Sequence, residues 1–154
     1  MITLIRPVSS DLWNVATRLV KEYATSLNMD LGFQEFDKEL AHLATEYGPP
    51  LGSFLLAEHL NEFVGCGAIR RFSQSACEMK RLYVVPPCQS LGIGRKVATA
   101  LLQDARDLGY KTVLLDTLPS MQRAHQLYRS LGFKPVSSYR FNPVPDTVFL
   151  KLDL

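Results

Sequence analysis

Cysteine is scarce in this 154-residue chain. Cys66, Cys77 and Cys88 are odd in number and widely spaced, which suits reduced thiols in a reducing compartment better than a disulfide framework. His42, His59 and His125 are scattered, and nothing resembles CxxC, HxxxH or HExxH, so no metal is expected. Glycine and proline number only 9 each, too few for a collagenous or low-complexity chain. Charge of one sign is also lacking: Lys plus Arg is 17 against 15 for Asp plus Glu. That excess is too slight for the broad basic face of a nucleic-acid binder. No window approaches the ~20 apolar residues that span a bilayer, and the N-terminus MITLIRPVSS lacks the pattern of a signal peptide, so neither a membrane partner nor export is expected. A cytoplasmic location is the expectation. What is present is 47% apolar side chains, enough for one compact core and a single domain over residues 1–154.

Periodicity gives the organisation. Ile2 to Val8 has strand character, and Ser9, Ser10 and Asp11 offer N-cap side chains for a helix bearing Leu12, Ala16, Leu19, Tyr23 and Leu27 on one face. Asn28 to Gln34 reads as loop. A second helix is predicted from about Phe36 to Tyr47, with Leu40, Leu43 and Ala44 inward and Gly48-Pro49-Pro50 ending it. Ser53 to His59, Phe63 to Phe72 and Cys77 to Val85 look like an antiparallel meander with a turn around Asn61. A long helix follows from Gly92 to Leu108, then a doubly covered strand, Lys111 to Thr117. Met121, Ala124, Tyr128 and Leu131 mark a further helix closed by Gly132, and strands near Lys134 to Ser138 and Thr147 to Leu152 complete the chain. This order predicts an α/β fold, a mixed sheet of about six or seven strands flanked by about four helices.

Chemistry concentrates between Glu78 and Arg95, where a strand stops at Pro86-Pro87 and a glycine-containing turn leads into the long helix. A helix start presents unpaired N–H groups and the positive end of the dipole, so the turn reads as an anion site. A dinucleotide fingerprint fails because Val97 stands at the third glycine position, and the GxxxxGK of a P-loop is absent. A turn that merely caps a helix stays open.

Gln89-Ser90-Leu91-Gly92-Ile93-Gly94 resembles the Q/RxxGxG/A signature of the GNAT superfamily of acetyl-CoA-dependent N-acetyltransferases. Leu127-Tyr128-Arg129-Ser130-Leu131-Gly132-Phe133 resembles its second landmark, LYxxxGF. The resemblance spans essentially the whole chain. It implies a GNAT-like acyl-CoA N-acyltransferase fold with acetyl-CoA as co-substrate, transferring its acetyl group directly to a primary amine. It also implies that the backbone N–H groups of Leu91, Gly92, Ile93, Gly94 and Arg95 hold the coenzyme A pyrophosphate, with Gln89 in the same turn. The strand from Leu82 through Tyr83 to Val84 would pair with the pantetheine arm, Tyr128 would sit near the thioester sulfur, and Glu78 stands at the spacing of a general base. The chain departs from the family at Met121, where many members carry a cofactor-contacting Asn; Asp116, Thr117 or Ser120 are candidates to compensate.

Elementary chemistry supports these roles. An amine of pKa near 10.4 is neutral in only about one part in 10³ to 10⁴ at pH 7, so attack on a thioester needs a route for proton removal. A carboxylate acting through water supplies one. The departing thiolate needs a proton, which a phenol still protonated at neutral pH can donate, and a strand N–H near Leu82 or Tyr83 could meet the tetrahedral oxyanion. Each residue has a plainer reading: by periodicity alone Tyr128 is a core side chain, Glu78 a paired carboxylate, Arg95 a solubilising cation and Cys88 a small hydrophobe. For the acceptor, a small molecule is favoured. Tyr23, Phe33, Phe36, Tyr139 and Phe141 suggest aromatic walls, and Arg140 with Asn142 could recognise a carboxylate or polar tail. Protein lysine, an N-terminus, a polyamine and an aminoglycoside stay open, as do a non-catalytic coenzyme A sensor and a homodimer formed through an edge strand.

Overall fold

A computed structural model describes residues 1–27 and 35–154. The expected loop at 28–34, with Phe33, lies outside the described residues. β1 (Ile2–Ile5) leads into α1 (Ser10–Leu27), whose start is capped by the Ser9 hydroxyl accepting the Leu12 amide at 3.2 Å. Ala16, Leu19 and Val20 are its buried residues. The single helix expected after it is two, α2 (Phe36–Ala41) and α3 (Leu43–Tyr47), broken at His42 with φ −139°. Their inward residues also differ from expectation. Ala44 is exposed, whereas Glu39 is buried, because its carboxylate meets Arg81 on the sheet.

The meander β2 (Ser53–His59), β3 (Glu62–Arg71) and β4 (Ala76–Val84) pairs antiparallel as expected. Leu60 and Asn61 both take positive φ in the first turn, the backbone of a two-residue hairpin. After β4 the two prolines open a short 3-10 turn, Pro86–Cys88, before α4 (Ile93–Asp107). β5 (Thr112–Thr117), α5 (Gln122–Ser130), a two-residue β6 (Lys134–Pro135) and β7 (Val148–Asp153) follow. Residues 136–138, expected as strand, lie outside β6, although the Val136 amide still bonds to the Phe149 carbonyl.

The seven strands form one mixed sheet in the order β1-β2-β3-β4-β5-β7-β6, with β4 and β5 as its parallel pair. α4 packs on one face over Leu55, Val64, Ile69, Met79 and Val113, and Tyr128 and Phe133 extend the same cluster. α4 can come this close because Gly67 has no side chain: a Cβ there would stand 2.7 Å from Val97 Cγ1. On the opposite face Leu19 and Val20 of α1 and Leu43 and Tyr47 of α3 pack against Phe54, Leu56, Cys66 and Ala68. α4 is also tied to the start of the sheet: Arg6 donates to both carboxylate oxygens of Asp104 at 2.7 Å, and Ser53 donates to it at 2.6 Å.

Candidate active site

β4 and β5 run side by side only briefly. Their register matches Ala76 with Thr112, Cys77 with Val113 and Glu78 with Leu114, and among the described residues the remainder of β4 is paired only with β3. Where β4 leaves its neighbour it also carries a bulge. Lys80 faces Ala68 and Tyr83 faces Cys66, so β4 holds one residue more than β3 over this stretch, and Arg81 takes a φ of 61°. Beyond the bulge the Val85 amide bonds to Val64 of β3. Main-chain direction alternates along a strand, so Tyr83 turns toward β3 while Leu82 and Val84 turn to the open side. The Gln89 side chain agrees with this phase, donating to the Val84 carbonyl at 3.1 Å.

Into that opening comes the start of α4. Gly92 is its N-cap, with φ 77° and no side-chain cap on the helix amides. A Cβ at Gly92 would meet nothing within 4 Å, so the main chain is open to a ligand there, and only glycine holds that φ without strain. A cavity of about 740 Å³ joins these features. Its walls are Tyr23 and Ser26 of α1, Leu82, Tyr83 and Val84 of β4, Gln89, Gly92, Gly94 and Arg95 of the turn, and Ser120 to Ala124 with Leu127 at α5. Tyr23 and Tyr83 meet edge to face, with centroids 6.1 Å apart.

Most of the residues expected to bind cofactor are thus brought together. The side chains of Leu91 and Ile93 are not on the wall: Leu91 is exposed and Ile93 packs in the core, which leaves these two their main-chain groups. Arg95 also donates to the Ser130 hydroxyl, joining α4 to α5. Met121 lines the cavity, and Ser120 lies beside it on the same wall. Ser26, Gln122 and Arg123 were not singled out in the sequence; they sit on polar helix faces that periodicity alone assigns to solvent.

Tyr128 sits one turn after Ala124, packed edge to face on Phe133 with centroids 5.7 Å apart. Among the described residues its hydroxyl has no hydrogen-bond partner. Burial pushes the phenol above its ordinary pKa, and Asp116 pushes it the same way, so it stays protonated at neutral pH.

Glu78, the last residue of β4 matched to β5, is 1% exposed and heavily engaged. Its Oε1 accepts from Arg140 at 2.7 Å and from Arg70 at 3.4 Å, and its Oε2 accepts from the Tyr139 hydroxyl at 2.8 Å. Asn142 donates to Asp116 at 3.2 Å. Arg140 and Asn142, expected to face the acceptor, therefore pin the β6–β7 connection onto carboxylates of β4 and β5. Tyr139 stands between Phe72 and Phe149, at centroid distances of 5.1 and 5.4 Å, while Phe141 is 76% exposed. Phe36 lies over the Arg81 guanidinium. Lys80, on the strand between Glu78 and the bulge, is 6% exposed, and burial lowers its pKa to about 7. No group of His, Cys, Asp and Glu among the described residues could hold a metal ion.

Comparison with known proteins decides the family. The sequence profile of the acetyltransferase (GNAT) family matches residues 14–133. The chain belongs to the GNAT family. A Schizosaccharomyces pombe protein named as an uncharacterized N-acetyltransferase is 42% identical over 139 residues, covering 88% of this chain and 85% of its own. In solved structures, a GNAT acetyltransferase of Staphylococcus aureus superposes with a TM-score of 0.82 at 18% identity, covering 99% of each chain. A GNAT acetyltransferase of Elizabethkingia anophelis with acetyl-CoA bound superposes with a TM-score of 0.66 at 20% identity, covering 99% of this chain and 98% of its own. The fold is that of the GNAT acyl-CoA N-acyltransferases, and the enzyme is an acetyl-CoA-dependent N-acetyltransferase.

Proposed function

We propose that this GNAT enzyme moves the acetyl group of acetyl-CoA directly to the primary amine of a small molecule. The observation that carries the reading is the parting of β4 from β5 beyond Glu78 and Leu114, with the cavity opening onto the uncapped start of α4. The pyrophosphate would lie on the amides from Leu91 to Arg95, where the helix dipole and unpaired N–H groups favour anions. The pantetheine arm would run along Leu82 and Val84, whose main-chain groups lack a strand neighbour on that side.

The amine nitrogen attacks the thioester carbonyl carbon, forming the C–N bond, and the carbon–sulfur bond then breaks. One proton leaves the acceptor ammonium so that its lone pair can attack, and a second leaves the nitrogen as the amide forms; the sulfur takes one. Glu78 is the base, reached through water, since among the described residues one of its oxygens carries only the Tyr139 donor. Tyr128 supplies the proton to sulfur; it follows Leu127 of the cavity wall in the chain, and a phenol still protonated at neutral pH suits that role. The Leu82 amide, turned to the open side by the bulge, faces the developing oxyanion. Tyr23, with Tyr83 behind it, walls the acceptor's approach. Release of free thiol from acetyl-CoA, followed across a panel of amino acids, polyamines and aryl amines, tests the reading. Thiol release that depends on one amine class supports it, and acetyl-CoA left intact with all of them contradicts it.

A further inference from the structure

Arg81 takes a left-handed backbone conformation in the middle of a strand, which a residue with a Cβ adopts only when its surroundings enforce it. The enforcement is visible. Its Nε donates to Glu39 Oε2 at 2.7 Å and its Nη2 to Glu39 Oε1 at 2.8 Å, a two-pronged ion pair between β4 and α2 in which both residues are less than 5% exposed. One turn earlier on α2, the Phe36 ring lies 5.3 Å from the same guanidinium. On the other side, the Cys66 thiol donates to the Arg81 carbonyl at 3.3 Å. A bulge that needed only the positive φ would be served best by glycine; an arginine there adds a handle that α2 grips.

The residue after Arg81 is Leu82, whose amide the alternation along β4 turns to the open side. The extra residue sets that phase: without it, the main-chain direction of everything beyond would reverse relative to β3. We propose that Glu39 and Arg81 are a positioning pair for acetyl transfer, fixing from α2 the backbone bulge that aims the Leu82 amide at the thioester carbonyl. This rests on the reading above that the Leu82 amide meets that carbonyl. Neither side chain touches substrate; both act through the strand.

The test is the carbonyl resonance of acetyl-CoA labelled with carbon-13 at the thioester carbon, bound to the full chain. In the wild type, hydrogen bonding to the amide displaces it downfield from its free position. In Glu39→Gln and Arg81→Lys, which keep volume or charge but lose the fork, at least half of that displacement disappears while the acetyl-CoA dissociation constant stays within about threefold. In the Glu39→Gln background, Arg81→Gly retains more of the displacement than Arg81→Ala, because only glycine holds the bulge unaided. This second comparison separates bulge geometry from general loss of packing. An undiminished displacement in Glu39→Gln and Arg81→Lys, or equal values for the Gly and Ala forms, overturns the proposal. A wild-type complex with no displacement overturns both this inference and the oxyanion role of Leu82, whereas failure of acetyl-CoA to bind at all removes the cofactor site on which both depend.

Discussion

Glu78 and Leu114 are the last matched residues between β4 and β5. Beyond them β4 keeps only its β3 neighbour among the described residues, and from Leu82 onward it walls the cavity that reaches Gly92. The base candidate thus stands at the fork itself, held by two arginines and a tyrosine.

Tyr128→Phe removes one oxygen that has no hydrogen-bond partner among the described residues, so stability should hardly change. The turnover number should fall by about 10²-fold or more, the scale of lost general-acid catalysis, with acetyl-CoA affinity within twofold. Steady-state kinetics beside calorimetric titration checks this. Unchanged turnover makes Tyr128 a packing residue.

Glu78→Gln should suppress activity most at low pH, where the acceptor amine is most protonated and most needs a base. It should also lower the melting temperature, because Arg70 and Arg140 lose the charge they share. Tyr139→Phe removes one donor but leaves that charge, so it should retain the wild-type shape of the pH–rate profile. A loss in Glu78→Gln that is the same at every pH assigns the residue to packing.

Gly92→Ala places a Cβ on a residue at φ 77°, costing about 1–2 kcal/mol if the turn is kept. The added atom meets nothing within 4 Å among the described residues, so the effect should appear as strain at the anion turn. Acetyl-CoA affinity should drop roughly tenfold by calorimetry, with little change in the far-ultraviolet spectrum. Equal affinity argues that the turn is no ligand site.

Much of this arrangement was legible before any coordinates. The meander, the long helix and the turn at residues 89–94 follow from alternation, 3.6-residue periodicity and the helix-start chemistry of Gly92. The break at His42, the short β6 and the burial of Glu39 were not. The last depends on partners distant in sequence: Glu39 is buried against Arg81 and Arg70, both far along the chain. The bulge was equally hidden, since an arginine at positive φ leaves no mark in composition. Arg140 and Asn142 read in the sequence as groups for a carboxylate or polar tail; that Arg140 reaches Glu78 and Asn142 reaches Asp116 follows only from the folded chain.

Asp104 gives a pH prediction away from the site. Burial works to raise its carboxyl, but hydrogen bonds from Arg6 and Ser53 and the Arg6 charge outweigh this and hold it below the usual carboxylate range. A depressed native pKa contributes stability above the unfolded value near 3.9 and loses it as pH falls through the native one. Asp104→Asn should therefore cost roughly 1–2 kcal/mol at pH 7, moderated because the Arg6 side chain is 57% exposed. The difference from wild type should close in acid, as urea unfolding at several pH values will show.

Lys80 runs the other way. Burial lowers it to about 7, although the Glu78 charge opposes this, so between pH 7 and about 10.4 the unfolded chain holds a proton that the native chain has lost. Native stability relative to Lys80→Met should rise with pH across that window, by up to about 1.4 kcal/mol per unit. A flat difference would mean that Lys80 keeps its charge when folded.

The central claim is that acetyl-CoA seats its diphosphate on the start of α4 and its arm in the gap beside β4. Amide resonances recorded while acetyl-CoA is added test it most directly. The account predicts large saturable displacements at Leu82, Val84, Gly92, Gly94 and Arg95, with Thr3 and Leu4 of β1 unmoved; unmoved resonances at Gly92 and Gly94 would contradict it.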